Sequence, residues 1–318
     1  MDAIERAPLT TGAAGGDALP GPEFAPFQDE PPQMPSGAVG KRGFLRLGFE
    51  QRGGRTVLAD LESRAPYLAQ RALHCDSGMP DLAWLFVITT SGCVLQGDRL
   101  ALDVTLAPGA CAHVTTQSAT KVHAMDANYA VATQSILIDD GAYLEFLPDP
   151  LLLHRRARFA SETRITVAPT ATLLYSEIVQ PGRKHHHPDE SLGVTLLSLR
   201  VSAARPDGRL LMSERLVIEP ESAPMRQTGI MDSFDVFGNV ILLTPKESAD
   251  RISERVTAEV DFERGTACGA CRLPNEAGLI YKALGRESAQ VKAQVRAFWE
   301  IVRGEVAGAS VPPSFLWR

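Results

Sequence analysis

Two carboxylates interrupt otherwise apolar, β-type runs: Glu145 within Tyr143–Leu147, and Glu177 within Leu173–Val179. Each must be paired or open to water, because burying an unpaired charge is costly. Pairing would make it a structural ion pair, and Arg155, Arg156 and Arg158 are near enough in sequence to supply one. Access to water would instead make a wet site that attracts cations. Of the two readings, structural pairing is favoured. With strict alternation, Glu145 shares a strand face with Tyr143 and Leu147. His123 and His154 fall at nearly the same distance after their respective turns, which would stack them on adjacent units. With Glu145 or Glu177 they would form a polar line through the fold, although a lone core histidine meeting one hydrogen bond is commoner than a ligand.

Two more motifs have metal-ligand or redox spacing. His185, His186 and His187, followed by Pro188, Asp189 and Glu190, offer imidazoles that suit nickel, copper or zinc. A solvated loop with no metal role reads the same way. Cys268-Gly-Ala-Cys271 is spaced as a redox dithiol or half a zinc site. It lacks a second cysteine pair or a surrounding βαβ unit, so two small residues in a strand are the favoured reading. Gly40-Lys41-Arg42 lacks the hydroxyl residue and upstream glycine of a phosphate-binding loop. Zincin, nucleophile-elbow and dinucleotide signatures are also missing. The chain does not read as an enzyme.

The elements that position these residues are mostly strands. Cys111 to Asp126 begins as a strand in which Ala112 and Val114 alternate with Cys111 and His113, then turns polar at Thr115, Thr116, Gln117 and Ser118. Buried polar residues need partners, so this run is expected to line or brace an interior. Around it a strand–turn–strand pattern recurs about every thirty residues, with turns at Ala107–Ala110, Asp139–Ala142 and Ala168–Ala171. This predicts a mainly β fold of stacked β-hairpins or an irregular β-helix. Gly53-Gly54 predicts a hairpin between Phe44–Phe49 and Val57-Leu58. Two helices are expected near the C-terminus, over 244–256 from a capping-box pattern at Thr244–Glu247, and over 288–303 from Val291, Val295, Phe298 and Val302.

Composition sets the class. The net charge is −6, and residues 1–40 alone carry −5, with six acidic residues against Arg6. Nucleic acid and anionic membrane are therefore poor partners. Residues 1–40 are rich in Pro, Gly and Ala and read as a disordered tail, leaving 41–318 as one domain. Five scattered cysteines, with neither a signal-peptide pattern nor a membrane-length apolar run, point to the cytoplasm.

Several ordered segments carry a resemblance. They are Ser91-Gly92 through Gly97-Asp98-Arg99-Leu100, Thr115–Ser118 with Lys121, Leu144–Pro148, Leu173–Val179 with Gly182-Arg183, and Ser213–Leu216. In order and spacing they resemble the urease accessory family UreD, called UreH in some bacteria. Departures are Cys93 and Gln96, where a glycine-rich run is common, and Pro150–His154, where an acidic segment is common. The resemblance implies a non-catalytic, β-rich maturation chaperone with no permanently bound cofactor. It implies a helical partner, UreF, which recruits the GTPase UreG, and docking of the assembly on the urease apoprotein. It also implies an internal passage for Ni2+; an ion in transit needs an incomplete ligand set, and Glu145, Glu177, His123 and Asp149 suit such transient contacts. Two other classes remain: a thiol- or metal-dependent enzyme centred on Cys268 and Cys271, and a β-solenoid interaction protein with no metal role.

Overall fold

The structure is a computed structural model that describes residues 20–31 and 39–313. The chain opens with a hairpin, β1 (Arg42–Arg52) and β2 (Arg55–Arg64), closed at Gly53 and Gly54. Both glycines have positive φ, as a tight hairpin turn requires. Then follow β3 (Tyr67–Ala69), β4 (Ala83–Thr89), β5 (Arg99–Leu106), β6 (Cys111–Gln117), β7 (Thr120–Val122), β8 (Ala130–Ile138) and β9 (Tyr143–Phe146). After these come β10 (Leu151–Leu153), β11 (Arg158–Val167), β12 (Thr172–Gln180), β13 (Leu196–Ala204), β14 (Leu210–Ile218) and β15 (Val236–Leu243). Helix α1 (Lys246–Arg255), β16 (Glu259–Asp261), β17 (Thr266–Arg272), β18 (Gly278–Gly285) and helix α2 (Ser288–Ala307) complete the order.

The recurring turns are corners of an irregular β-helix. The strands flanking each turn, β5 and β6, β8 and β9, β11 and β12, do not pair with each other. Instead β5, β8, β11 and β13 run parallel in one sheet, while β4, β6, β9 and β12 run parallel in the other. Strands stacked in this way are covered on both faces, which explains near-continuous apolar runs such as Leu173–Tyr175. The first sheet is flanked by β14 on one edge and by β1 and β2 on the other; β15, β18, β17 and β16 extend the second.

Apolar side chains gather in three main places. One core fills one end of the space between the sheets, with Leu47, Val104, Val114, Phe146, Ile165 and Tyr175. Another occupies the opposite end, with Leu100, Val122, Phe159, Val179 and Leu199. The third lies under α1 and α2 on the outer face of the second sheet, with Trp84, Leu174, Val240, Phe298 and Val302.

Three local expectations change. The capping box at Thr244 does not form: α1 begins after Pro245 without a side-chain cap, and the Thr244 hydroxyl pairs with that of Thr172 at 2.8 Å. The capping box belongs to α2, between Glu287 and Gln290; that helix passes Gly304 and ends at Gly308, which takes the left-handed conformation. Part of the segment read as a disordered tail is packed on the body. Phe24 is fully buried beside Tyr129 and Leu196, Arg158 lies over the Phe27 ring, and Arg215 donates to Glu23 at 2.6 Å. Two aromatic side chains anchor a composition that otherwise lacks apolar mass. Residues 1–19 and 32–38 of that tail lie outside the described residues.

Candidate functional site

The two inter-sheet cores do not merge. Between them lies a cavity of about 130 Å³, walled by Leu102, Val114 and Phe146 from one core and by Leu100, Phe159 and Leu199 from the other. Space on that scale holds several waters where polar groups face it. Here the polar groups are Gln134 and Ser161 on the first sheet, and Thr116, Tyr175 and Glu177 on the second. Gln117 at the end of β6, Ser118, Thr120 at the start of β7 and Asp149 line it further along. A second cavity of about 100 Å³ adjoins it, lined by Glu214, Asn239, Phe237 and Lys282, and the two share Glu177 and Leu199. Glu177 is therefore the polar residue at the junction.

Strand register explains how Glu177 reaches that point. On β12 it follows Leu173 and Tyr175 along the face turned toward the first sheet. Its cross-strand neighbour on β15 is Asn239, whose neighbour on β18 is Lys282, giving one row across three strands. From the first sheet Glu214 enters the same corner, and it accepts from Asn239 Nδ2 at 2.7 Å and from Lys282 Nζ. The Tyr175 hydroxyl donates to Glu177 at 2.8 Å. Burial pushes the Glu177 carboxyl up to about 7, and the Glu214 carboxylate adds to the rise against Tyr175, Lys282 and Asn239.

Glu145 sits elsewhere, under α2. It accepts from Tyr143 Oη at 2.7 Å, Trp299 Nε1 at 2.6 Å and both Nε and Nη2 of Arg303, at 2.7 and 2.8 Å, while His113 Nδ1 lies 2.7 Å away. Arg303, itself fully buried, also donates to Asp76, which accepts from the Gly78 amide at 2.9 Å. Burial alone would raise the Glu145 carboxyl, but the hydrogen bonds and charges of His113 and Arg303 outweigh it and hold the group at about 2. The partner is Arg303 from the far end of the chain, in place of Arg155, Arg156 or Arg158. Glu145 lines neither cavity.

The remaining candidates separate. Asp149 lines the first cavity and accepts from Lys292 of α2 at 2.8 Å. His123 and His154 come together, with ring centroids 5.3 Å apart, but neither lines either cavity, whereas Glu177 lines both. Burial, with Arg183 and His123 nearby, pushes His154 down to about 4. His185, His186 and His187 are exposed on a loop, where His185 Nε2 lies 3.0 Å from Glu287. Cys268 and Cys271 are both free, and three residues apart on β17 they point to opposite faces. Among the described residues, no three or more His, Cys, Asp or Glu side chains form a metal-binding group.

Thr115 and Thr116 brace the strand end as expected: Thr115 Oγ1 donates to the Leu147 carbonyl and Thr116 Oγ1 accepts from the Asp149 amide, at 2.8 and 2.9 Å. Sequence reasoning missed Asn239, Lys282 and Arg303. Asn239 interrupts the apolar run Val236–Leu243 just as Glu145 interrupts its own, and that signal was available. Arg303 lies one turn beyond Trp299, beside the apolar stripe of α2.

Comparison with known proteins supplies the family. The family model described as "UreD urease accessory protein" matches residues 41–318. A Urease accessory protein UreD of Yersinia pseudotuberculosis is 54% identical over 297 residues, covering 93% of this chain and 92% of that protein. One from Photorhabdus laumondii is 53% identical with the same coverage, and UreD 2 of Brucella suis is 50% identical, covering 93% and 98%. With a family match over all of the β-helix and both helices, the chain belongs to the UreD family of urease accessory proteins.

Proposed function

We propose that this protein is a non-catalytic maturation chaperone that conducts nickel toward the urease active site through the two adjoining cavities. It would do so while bound to a UreF-type helical partner, with a UreG-type GTPase recruited through that partner and apo-urease as the docking target. The observation that carries the reading is the junction at Glu177, where two cavities between the sheets share one carboxylate. An ion in transit needs sites favourable enough to enter and weak enough to leave. In the first cavity Asp149 and Glu177 are the carboxylates among apolar, hydroxyl and amide neighbours, and water would supply the rest of a nickel shell. Nickel is cargo here, and the protein holds no resident cofactor. Glu145 braces α2 on the sheet, and His123 and the 185–187 triplet stand off the route. The compartment is the cytoplasm, where uncrosslinked cysteines are at home.

Filling the cavity tests the proposal. Ala132 lines it, and Ala132→Phe would place a ring inside. Urease co-produced with that variant should contain several-fold less nickel, while the variant keeps its partners and its melting temperature. Full nickel content with a folded variant would overturn the passage.

A further inference from the structure

We propose that Glu177, Asn239 and Glu214 form an oxygen-donor stop for a divalent cation, and that the Lys282 ammonium occupies it as a placeholder until the cation displaces it. This rests on the passage reading above and names what its second cavity does. Three donors converge there from two sheets: Glu177 and Asn239 adjacent across β12 and β15, and Glu214 from β14 opposite. The Asn239 side chain is more than nine-tenths buried, yet its Oδ1 accepts no hydrogen bond from any described residue. A buried carbonyl oxygen left without a donor is uncommon and calls for a reason. Beside two carboxylates at a cavity wall, a cation is the partner that oxygen fits. A half-turn of the amide exchanges Nδ2 and Oδ1, so the group now donating to Glu214 can turn its carbonyl to an arriving ion.

Lys282 has the properties of a displaceable group. It is bonded to Glu214, but its side chain is 51% exposed. A flexible four-carbon stem carrying a point charge can swing into solvent, whereas the planar, forked guanidinium of arginine would hold the carboxylate more firmly. An exposed pair of this kind contributes little to stability, so moving it costs little. With the ammonium in place, Glu214 keeps a counter-charge when no ion is present. With a divalent ion in place, the two carboxylates supply that charge balance themselves. Three protein oxygens leave the rest of the coordination shell to water, which favours release over storage.

The test is nickel titration by calorimetry of the full chain carrying His185→Ala, His186→Ala and His187→Ala, so that the loop does not mask the site. In that background Lys282→Met should tighten one nickel site by about tenfold or more, because a positive charge is removed from beside the ion. Adding Glu214→Gln should abolish the gain, and Lys282→Arg should not show it. Unchanged affinity in Lys282→Met, or a gain that survives Glu214→Gln, would overturn the stop. Urease nickel content with Glu177→Gln separates the two ideas. If it falls while Lys282→Met binds nickel no more tightly, the passage stands without this stop; if it is full, the passage itself fails.

Discussion

Glu145 and Glu177 stand on neighbouring parallel strands, β9 and β12, yet face opposite sides of the same sheet. Glu145 pairs in register with Leu174, so Glu177, three residues further on, must point the other way. One faces α2 and is saturated with donors, held at about 2; the other faces the cavity between the sheets, raised to about 7. Two carboxylates of identical chemistry are thus set apart by environment alone: one braces α2, and the other lines the cavities of the proposed passage.

The bracing role predicts a stability effect. Arg303→Met leaves Glu145 and Asp76 buried without their cation, and should cost roughly 3–5 kcal/mol, read from the urea midpoint. A loss below about 1 kcal/mol would mean the cluster is not what fastens α2 to the sheet.

Glu177 predicts a pH dependence of the opposite sign to that of Glu145. Its carboxyl titrates near 4.5 when unfolded and near 7 when folded, so the folded state holds the proton between those values. Its contribution is full below about pH 4.5 and is lost as pH rises through about 7, amounting to at most about 3 kcal/mol and less where cavity water screens it. Glu145 contributes above about 4.5 and loses that contribution as pH falls through about 2. His154, held at about 4, adds stability as pH rises toward about 6.5 and offsets part of this loss, so the Glu177 contribution is read as a difference. Chemical denaturation from about pH 5 to pH 8 should show the stability of wild type falling relative to Glu177→Gln as pH rises. Parallel pH profiles for the two chains would assign the dependence to other groups.

The packed stretch near the N-terminus predicts that Phe24→Ala weakens the fold by about 2 kcal/mol, the worth of one buried aromatic side chain. Thermal unfolding checks it, and an unchanged midpoint would show that the stretch contributes no net stability.

Much of this was legible in the sequence. The β-helix shows in strict alternation such as Leu100, Leu102, Val104 and Leu106, and in turns at a fixed period. The helix boundaries were close because the Val291–Val302 stripe is long and regular. Partner identity was not legible. Arg303 meets Glu145 across 158 residues and Lys282 meets Glu214 across 68, and no local pattern encodes such pairings. The face on which Glu145 or Glu177 lands depends on register, which a single strand read alone does not reveal. Two phenylalanines packed on the body were hidden within a composition rich in Pro and Gly.

The loop histidines and the cysteine pair predict negative results for maturation. Replacing His185, His186 and His187 by Ala should lower retention on a nickel column and leave urease nickel content unchanged, since they lie off the cavities. Cys268→Ala with Cys271→Ala should leave urease activation intact, because the two thiols point apart. Loss of activation in either variant would return that motif to the mechanism.

Nickel content of urease purified from cells that co-produce the Glu177→Gln variant decides whether the passage carries the ion, with the melting temperature of the variant as the check on folding. Nickel should be reduced several-fold with Glu177→Gln, while the variant still captures the same partners as the wild-type chain. Urease fully loaded with nickel in the presence of Glu177→Gln would contradict the passage.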